Sequence, residues 1–235
     1  VKAPWVIDMW WRDVLFAHWP ATDALERLIP RGLTLDRFEG TPWLSVVPFR
    51  MTAVHARFAP VLPGFGAVSE INLRTYVSAN GRPGVLFFSL DADEPLVVRS
   101  ARLTTGLPYF DARIVTNEDE RGINYRSERT QRGLPGGRFA ARYRPTGDAF
   151  PAKPGTIEAF LHERYTFYNE RRGKIHAADV RHDVWSLHRA EIDVEENSLG
   201  ALAAQDLPGA PALCFFAREL RVRATATGAL ATNSG

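Results

Sequence analysis

The chain of 235 residues holds one cysteine and two methionines, and its lysines are only Lys2, Lys153 and Lys174. A single thiol, Cys214, excludes a disulfide framework within the chain. With so few lysines, any chemistry that runs through a lysine amine has few places to occur. No apolar run reaches the ~18 residues that a transmembrane helix needs. Val1 to Trp5 carry no secretory signal pattern. The expectation from these absences is a soluble, cytoplasmic protein with no membrane partner.

Several chemical signatures are missing too. There is no Gly-x-x-x-x-Gly-Lys loop, no strand-linked Gly-x-Gly-x-x-Gly and no Gly-x-Ser-x-Gly elbow, so nucleotide cofactors and a serine hydrolase are not expected. The histidines are His18, His55, His162, His176, His182 and His188, with no His-x-x-x-His pair among them. His182 and His188 in one extended strand would lie roughly 20 Å apart, too far to share an ion. Neither a metal nor another cofactor is expected.

What remains is ordinary globular composition, 45% hydrophobic and 24% charged with a net charge of +2. That suits one large domain. Strand-like runs dominate: Val14–Pro20, Trp43–Met51 with a break or bulge at Pro48, Glu70–Val77, Gly84–Asp91, Pro108–Val115, Gly122–Ser127, Arg138–Arg144, Arg164–Asn169, Lys174–Asp179, Ser186–Val194 and Ala212–Val222. Asn80-Gly81 and Arg172-Gly173 mark hairpins, and Pro60 to Gly66 reads as a loop. Short helices are expected at Asp23–Ile29 capped by Thr22, at Leu96–Thr105 behind Pro95, and at Thr156–Leu161. No β-α-β alternation is visible. The fold class is therefore mainly β (α+β), an antiparallel barrel with a few short helices. One domain should span residues 1–223, with a flexible tail from 224 to 235.

The segment that bears most on function is Glu70-Ile71-Asn72-Leu73-Arg74-Thr75-Tyr76-Val77. Side chains on a strand alternate faces, so Glu70, Asn72, Arg74 and Tyr76 share one and Ile71, Leu73, Thr75 and Val77 the other. The polar face either meets solvent or lines a cavity. In a cavity, the arginine fork suits a carboxylate and the glutamate suits proton transfer.

Most of the chain, from about Trp5 to Val222, resembles the YqjF-like family of uncharacterised bacterial proteins, DUF2071. The residues that carry the likeness are Phe16-Ala17-His18-Trp19-Pro20, Val47-Pro48-Phe49-Arg50-Met51, Asn72 to Val77, Pro83 to Ala92, Leu107-Pro108-Tyr109, Arg164-Tyr165 and His182-Asp183-Val184-Trp185. The resemblance implies an acetoacetate decarboxylase-like fold, a β-barrel or cone around a buried pocket, but no established activity. True acetoacetate decarboxylases carry a Gly-Phe-Pro-Lys-Lys-type segment whose first lysine forms a Schiff base. Its neighbour lowers that lysine's pKa. The similar segment here is Gly106-Leu107-Pro108-Tyr109-Phe110, in which aromatics replace both lysines. If this is an enzyme, it is not a Schiff-base decarboxylase. Glu70 is the natural counterpart of the decarboxylases' pocket glutamate.

The resulting expectation is a pocket for a small organic acid or carbonyl compound, with lysine-independent acid/base chemistry of lyase, isomerase or hydratase type. Glu70 and Tyr109 are the catalytic candidates, and Arg74, Asn72, Tyr76, His18 and Phe87 the substrate-binding ones, with His18 at the barrel mouth. The rival is a non-catalytic carrier of a hydrophobic metabolite, lined by Phe87-Phe88 and Phe215-Phe216. Ser89 and Asp91 share a face with Val85 and Phe87 by simple alternation and read as a strand end entering solvent. Arginines 126, 129, 132, 138, 142 and 144 read as a solvated hairpin rather than a nucleic-acid surface, because Glu118, Asp119, Glu120 and Glu128 dilute their charge. An exposed strand edge leaves a homo-oligomer open.

Overall fold

The computed structural model describes residues 4–61 and 66–230. The strands are β1 (Trp5–Pro20), β2 (Thr34–Leu35), β3 (Trp43–Ala56), β4 (Ala67–Ala79), β5 (Arg82–Ala92), β6 (Tyr109–Asp119), β7 (Gly122–Arg129) and β8 (Arg138–Pro151). They continue as β9 (Thr166–Arg171), β10 (Lys174–Arg181), β11 (Ser186–Asn197), β12 (Leu213–Thr225) and β13 (Gly228–Ala229). Two α-helices, α1 (Pro95–Thr105) and α2 (Ile157–His162), interrupt them among the described residues, and a 3-10 helix covers Asp23–Leu28, where a short helix was expected. A second 3-10 turn, Leu199–Ala203, had no expectation in the sequence. The expected loop at 60–66 lies largely outside the described residues.

The local chemistry of the chain sets these elements. Asn80 and Gly81 adopt φ of 50° and 73°, the left-handed pair of a tight hairpin whose twist matches that of its strands, so Ala79 pairs directly with Arg82. Thr156 caps α2 through its hydroxyl, which accepts from the Ala159 N–H. Thr22 precedes its turn without such a bond. β1 begins nine positions earlier than expected, with Asp13 at φ 54°. Across that bulge Arg12 pairs with Arg50 and Ala17 with Val46, so β1 carries one more residue than β3. Pro48, which has no N–H to give, sits opposite the bulge, while its register with Ile71 of β4 is unbroken.

The sheet is mainly antiparallel, as expected, with two parallel pairings. β5, α1 and β6 form a β-α-β unit that sets Leu90 beside Tyr109, and β5 also runs parallel to β9. β12 continues to Thr225, and Gly228–Ala229 pairs with His176 and Ala177. All thirteen strands join one sheet, which β4–β5 and β10–β12 pairings close on itself. The circuit β1–β3–β4–β5–β9–β10–β12 has seven strands, and each contributes to the wall of one cavity. The opposite faces of β1, β3, β4 and β5 pack on a large core of Leu15, Ala17, Val46, Ile71, Leu73, Tyr125 and Phe139. Among the described residues, no helix is long and apolar enough to cross a membrane.

Candidate functional site

The polar face of β4 is turned into that cavity, which has a volume of about 360 Å³. Glu70, Asn72 and Arg74 line it, and their exposures of 2%, 3% and 8% exclude the reading of a solvated face. Each leaves one buried polar atom without a partner: Glu70 Oε2, Asn72 Oδ1 and Arg74 Nε. Buried polar groups normally find partners, and groups left short of them mark places where a ligand or water supplies the bond.

Arg74 is distinctive in its charge. Three arginines are nearly buried, and two of them hold a carboxylate: Arg129 grips Asp91 with two bonds of 2.9 Å, and Arg164 pairs with Asp36. Among the described residues no carboxylate pairs with Arg74. Its guanidinium lies over the Phe16 ring, 5.4 Å from the centroid. A buried cation without a counter-ion is costly, and an anionic ligand is the direct way to offset it.

Glu70 is the converse case. Burial raises its pKa to about 8, an effect that polar contacts from Tyr109 and Asn72 only partly offset and that the negative field of Asp91 reinforces. At neutral pH it is a carboxylic acid and a proton donor. Tyr109 opens β6 at the cavity wall, and burial followed by the charge of Glu70 holds its hydroxyl protonated. Its neighbour Phe110 turns away, under the Arg129 guanidinium at 5.1 Å. Lys153 and Lys174 are exposed and neither lines the cavity, while Lys2 lies outside the described residues.

Phe87 lines the cavity, but Phe88 does not. The β4–β5 register steps from Leu73↔Ser89 to Arg74↔Phe87, so Phe88 is an extra residue that reverses the alternation beyond it. Leu90 therefore faces the cavity with Val85 and Phe87. Ser89 and Asp91, both fully buried, are not a strand end in solvent. Phe215 and Phe216 are core residues, which removes three of the four phenylalanines from the lining of the carrier reading. The arginine hairpin is a lattice of ion pairs, Arg126–Glu195, Arg138–Glu128, Arg142–Asp119 and Arg144–Glu191, except that Arg129 is buried on Asp91.

Tyr76 and His18 lie behind the site rather than in it. Tyr76 shares the face of Arg74 but is covered, with Phe160 of α2 against its ring at 5.3 Å. His18 is fully buried, not at a mouth. The two belong to a hydrogen-bonded chain whose direction follows from its far end. Nδ1 of His162 lies 2.7 Å from the Glu158 carbonyl, which only accepts, so that nitrogen carries the proton. The Nε2 of neutral His162 then accepts from His18 Nε2 at 3.3 Å. His18 Nδ1 accepts from the Ser45 hydroxyl at 2.6 Å, and Ser45 accepts from Tyr76 at 2.6 Å. Burial, with the Arg74 charge adding to it, holds His18 well below the usual imidazole range and His162 at about 3, so both are neutral.

Other lining residues had no assigned role in the sequence. His162 faces the cavity from the end of α2, and the rings of His182 and Trp185 lie tilted to each other at 5.2 Å. Ile7, Met9 and Trp11 form one wall, and their alternation in β1 was the available signal. Among the described residues, no three His, Cys, Asp or Glu side chains converge as a metal-binding set would.

The DUF2071 family of uncharacterised conserved proteins matches residues 8–221. The uncharacterised protein YqjF of Bacillus subtilis (strain 168) is 39% identical over 216 residues, covering 92% of this chain and 88% of YqjF. Among solved structures, the enduracididine biosynthesis enzyme MppR complexed with pyruvate is similar with a TM-score of 0.65 at 13% identity, covering 100% of this chain and 93% of that one. Acetoacetate decarboxylase from Legionella pneumophila gives 0.62 at 12% identity, with 98% and 90% covered. An acetoacetate decarboxylase-like enzyme from Sphingomonas wittichii RW1 gives 0.60 at 14%, with 98% and 94% covered. At these identities the likeness establishes an acetoacetate decarboxylase-like fold.

Proposed function

The chain belongs to the DUF2071 family, whose chemistry is open, and from the geometry of its cavity we propose that it binds an organic acid or carbonyl compound and moves a proton on it without a lysine. The observation that carries this reading is the buried Arg74, with no carboxylate partner among the described residues, on the same strand face as a glutamate that burial keeps protonated. Arg74 binds the carboxylate of the ligand. Tyr109 gives a hydrogen bond to its carbonyl oxygen, and the Asn72 amide donates to Glu70 and orients it. Glu70 exchanges a proton with the carbon next to that carbonyl. Its ionised fraction, the minor form at pH 7, takes the C–H proton while the oxygen gains charge against Tyr109, and the acid so formed returns the proton to the same or a neighbouring atom. This supports enolisation, hydration or dehydration. MppR, of the same fold, is complexed with pyruvate, which is in keeping with an oxo acid in such a pocket.

The test is a thermal-shift screen of oxo and hydroxy acids against wild type and Arg74→Ala together. A ligand at ~100 times its Kd adds about 2.7 kcal/mol to folded-state stability. A shift in wild type that disappears in the variant supports the acid site. Equal shifts in both proteins place the ligand elsewhere and remove the proposal.

The carrier reading keeps one support, the apolar character of the remaining walls. Glu70→Gln separates the two: an enzyme loses turnover, whereas a carrier keeps its affinity.

A further inference from the structure

The charged and amide side chains of the lining with a buried atom left unpartnered are Glu70, Asn72 and Arg74, all on β4; Arg164, also in the lining, holds Asp36. The rest of the lining is mainly apolar, with Ile7, Met9 and Trp11 of β1, Met51 of β3, Val97 of α1 and Trp185, interspersed with hydroxyls of α1 and three histidines. The chain has only two methionines, Met9 and Met51, and both are in this wall. Unbranched thioether side chains adapt to the shape of what they contact. A volume of about 360 Å³ also equals roughly a dozen water-sized groups at ~30 Å³ each, about twice what a three-carbon oxo acid fills.

The charges are ordered along the same axis. The field of Arg74 acts on His18, His162 and His182, whereas the charge that acts on Glu70 is that of Asp91. Four residues of strand, about 13 Å, separate the Cα atoms of Arg74 and Glu70. Along β4 the register then passes from Glu70 opposite Phe49 to Val68 opposite Met51. The site thus has one uncompensated cation at one end, a neutral acid in the middle and an apolar chamber beyond.

Resting on the acid-site reading above, we infer that the natural ligand is an amphipathic monocarboxylic acid with an apolar body of about six carbons or more, a medium-chain or arylalkyl oxo acid, and not a pyruvate-sized acid or a dicarboxylate. The carboxylate takes Arg74, and the apolar body fills the chamber lined by Met9, Met51 and Trp11. Among the described residues that line this chamber there is no lysine or arginine to meet a second carboxylate.

The experiment is calorimetric titration of wild type with pyruvate, 2-oxobutanoate, 2-oxohexanoate, 2-oxooctanoate, phenylpyruvate and 2-oxoglutarate, with 1-hexanol and 1-octanol alongside. Each added methylene that enters the chamber should tighten binding about fourfold. The six- and eight-carbon monoacids should therefore bind well over tenfold more tightly than pyruvate, and 2-oxoglutarate more weakly than 2-oxohexanoate. In Arg74→Ala the advantage of acids over alcohols should disappear while the dependence on length stays. A flat series, a best fit at three carbons, or 2-oxoglutarate equal to 2-oxooctanoate overturns the inference and leaves the acid site standing if Arg74→Ala still weakens every acid. Acids and alcohols that bind alike in both proteins overturn the acid site itself, and the inference with it. The wild-type series decides the length question even if the variant does not fold.

Discussion

At the scale of single residues, Arg74 and Glu70 are both held against their own stability. A guanidinium 8% exposed with no carboxylate is a charge whose desolvation nothing in the described protein offsets. Arg74→Met, which keeps volume and removes charge, should therefore leave the ligand-free protein as stable as wild type or raise its Tm, while an acid ligand loses roughly 10- to 100-fold in affinity with its charged hydrogen bond. Thermal melts with and without ligand check both halves. A large fall in the Tm of the ligand-free variant would show that Arg74 is a structural strut. Glu70→Gln should lower turnover by at least about 100-fold with little change in ligand Kd, since the amide keeps the shape but exchanges no proton. Steady-state rates beside calorimetric Kd values make that comparison, and unchanged rates would move the proton-transfer role away from Glu70.

Among the elements, β9 closes the cavity against β5 through an unusually close approach. A Cβ on Gly84 would lie 2.5 Å from the Thr166 carbonyl oxygen and 2.6 Å from the Tyr168 ring. Gly84→Ala must push β9 outward, and Thr166 and Phe167 of that strand line the cavity. The expected outcome is a loss of about 1–3 kcal/mol together with weaker ligand binding. Gly81→Ala strains only the hairpin turn at φ 73°, so it should cost about 1 kcal/mol and leave binding intact. Denaturant melts and titrations of the two variants distinguish a cavity wall from a distant turn. The same elements show what the sequence made legible. Period-two alternation is a local property, so the cavity face of Glu70, Asn72 and Arg74 could be read directly, as could the Asn80-Gly81 hairpin and the Thr156 cap. The Phe88 bulge is set by the partner strand, not by its own residues, and it reversed the reading of Ser89 and Asp91. The β-α-β crossover, the Asp91–Arg129 pair and the burial of Tyr76 beneath Phe160 depend on contacts far apart in the chain, which composition and spacing do not encode.

For the whole molecule, the buried titratable groups of the site and its hydrogen-bonded chain should shape stability against pH in opposite directions. Glu70 has its folded pKa raised from 4.5 to about 8. Between those values the folded chain keeps a proton that the unfolded chain has lost, so its contribution is full below pH 4.5 and declines as pH rises through about 8. The slope is at most about 1.4 kcal/mol per pH unit. His18 and His162 have folded pKa values below the unfolded 6.5, so their contributions are full above pH 6.5 and decline as pH falls. Below 6.5 the two histidines outweigh the single glutamate, and above it the glutamate acts alone. These three groups together place the stability maximum near pH 6.5. Melts from pH 5 to 9 should show limbs falling on both sides. Glu70→Gln should flatten the alkaline limb and steepen the acid one, because the amide has no proton to lose and the histidines then act unopposed. An alkaline limb unchanged in that variant would mean that Glu70 is ionised in the folded chain, and the acid that donates to the ligand would have to be sought at Tyr109. If the limb does flatten, the same proton should govern binding: an acid ligand facing a carboxylic acid at pH 7 faces a second carboxylate above pH 8, and its affinity should fall across that interval in wild type but not in Glu70→Gln.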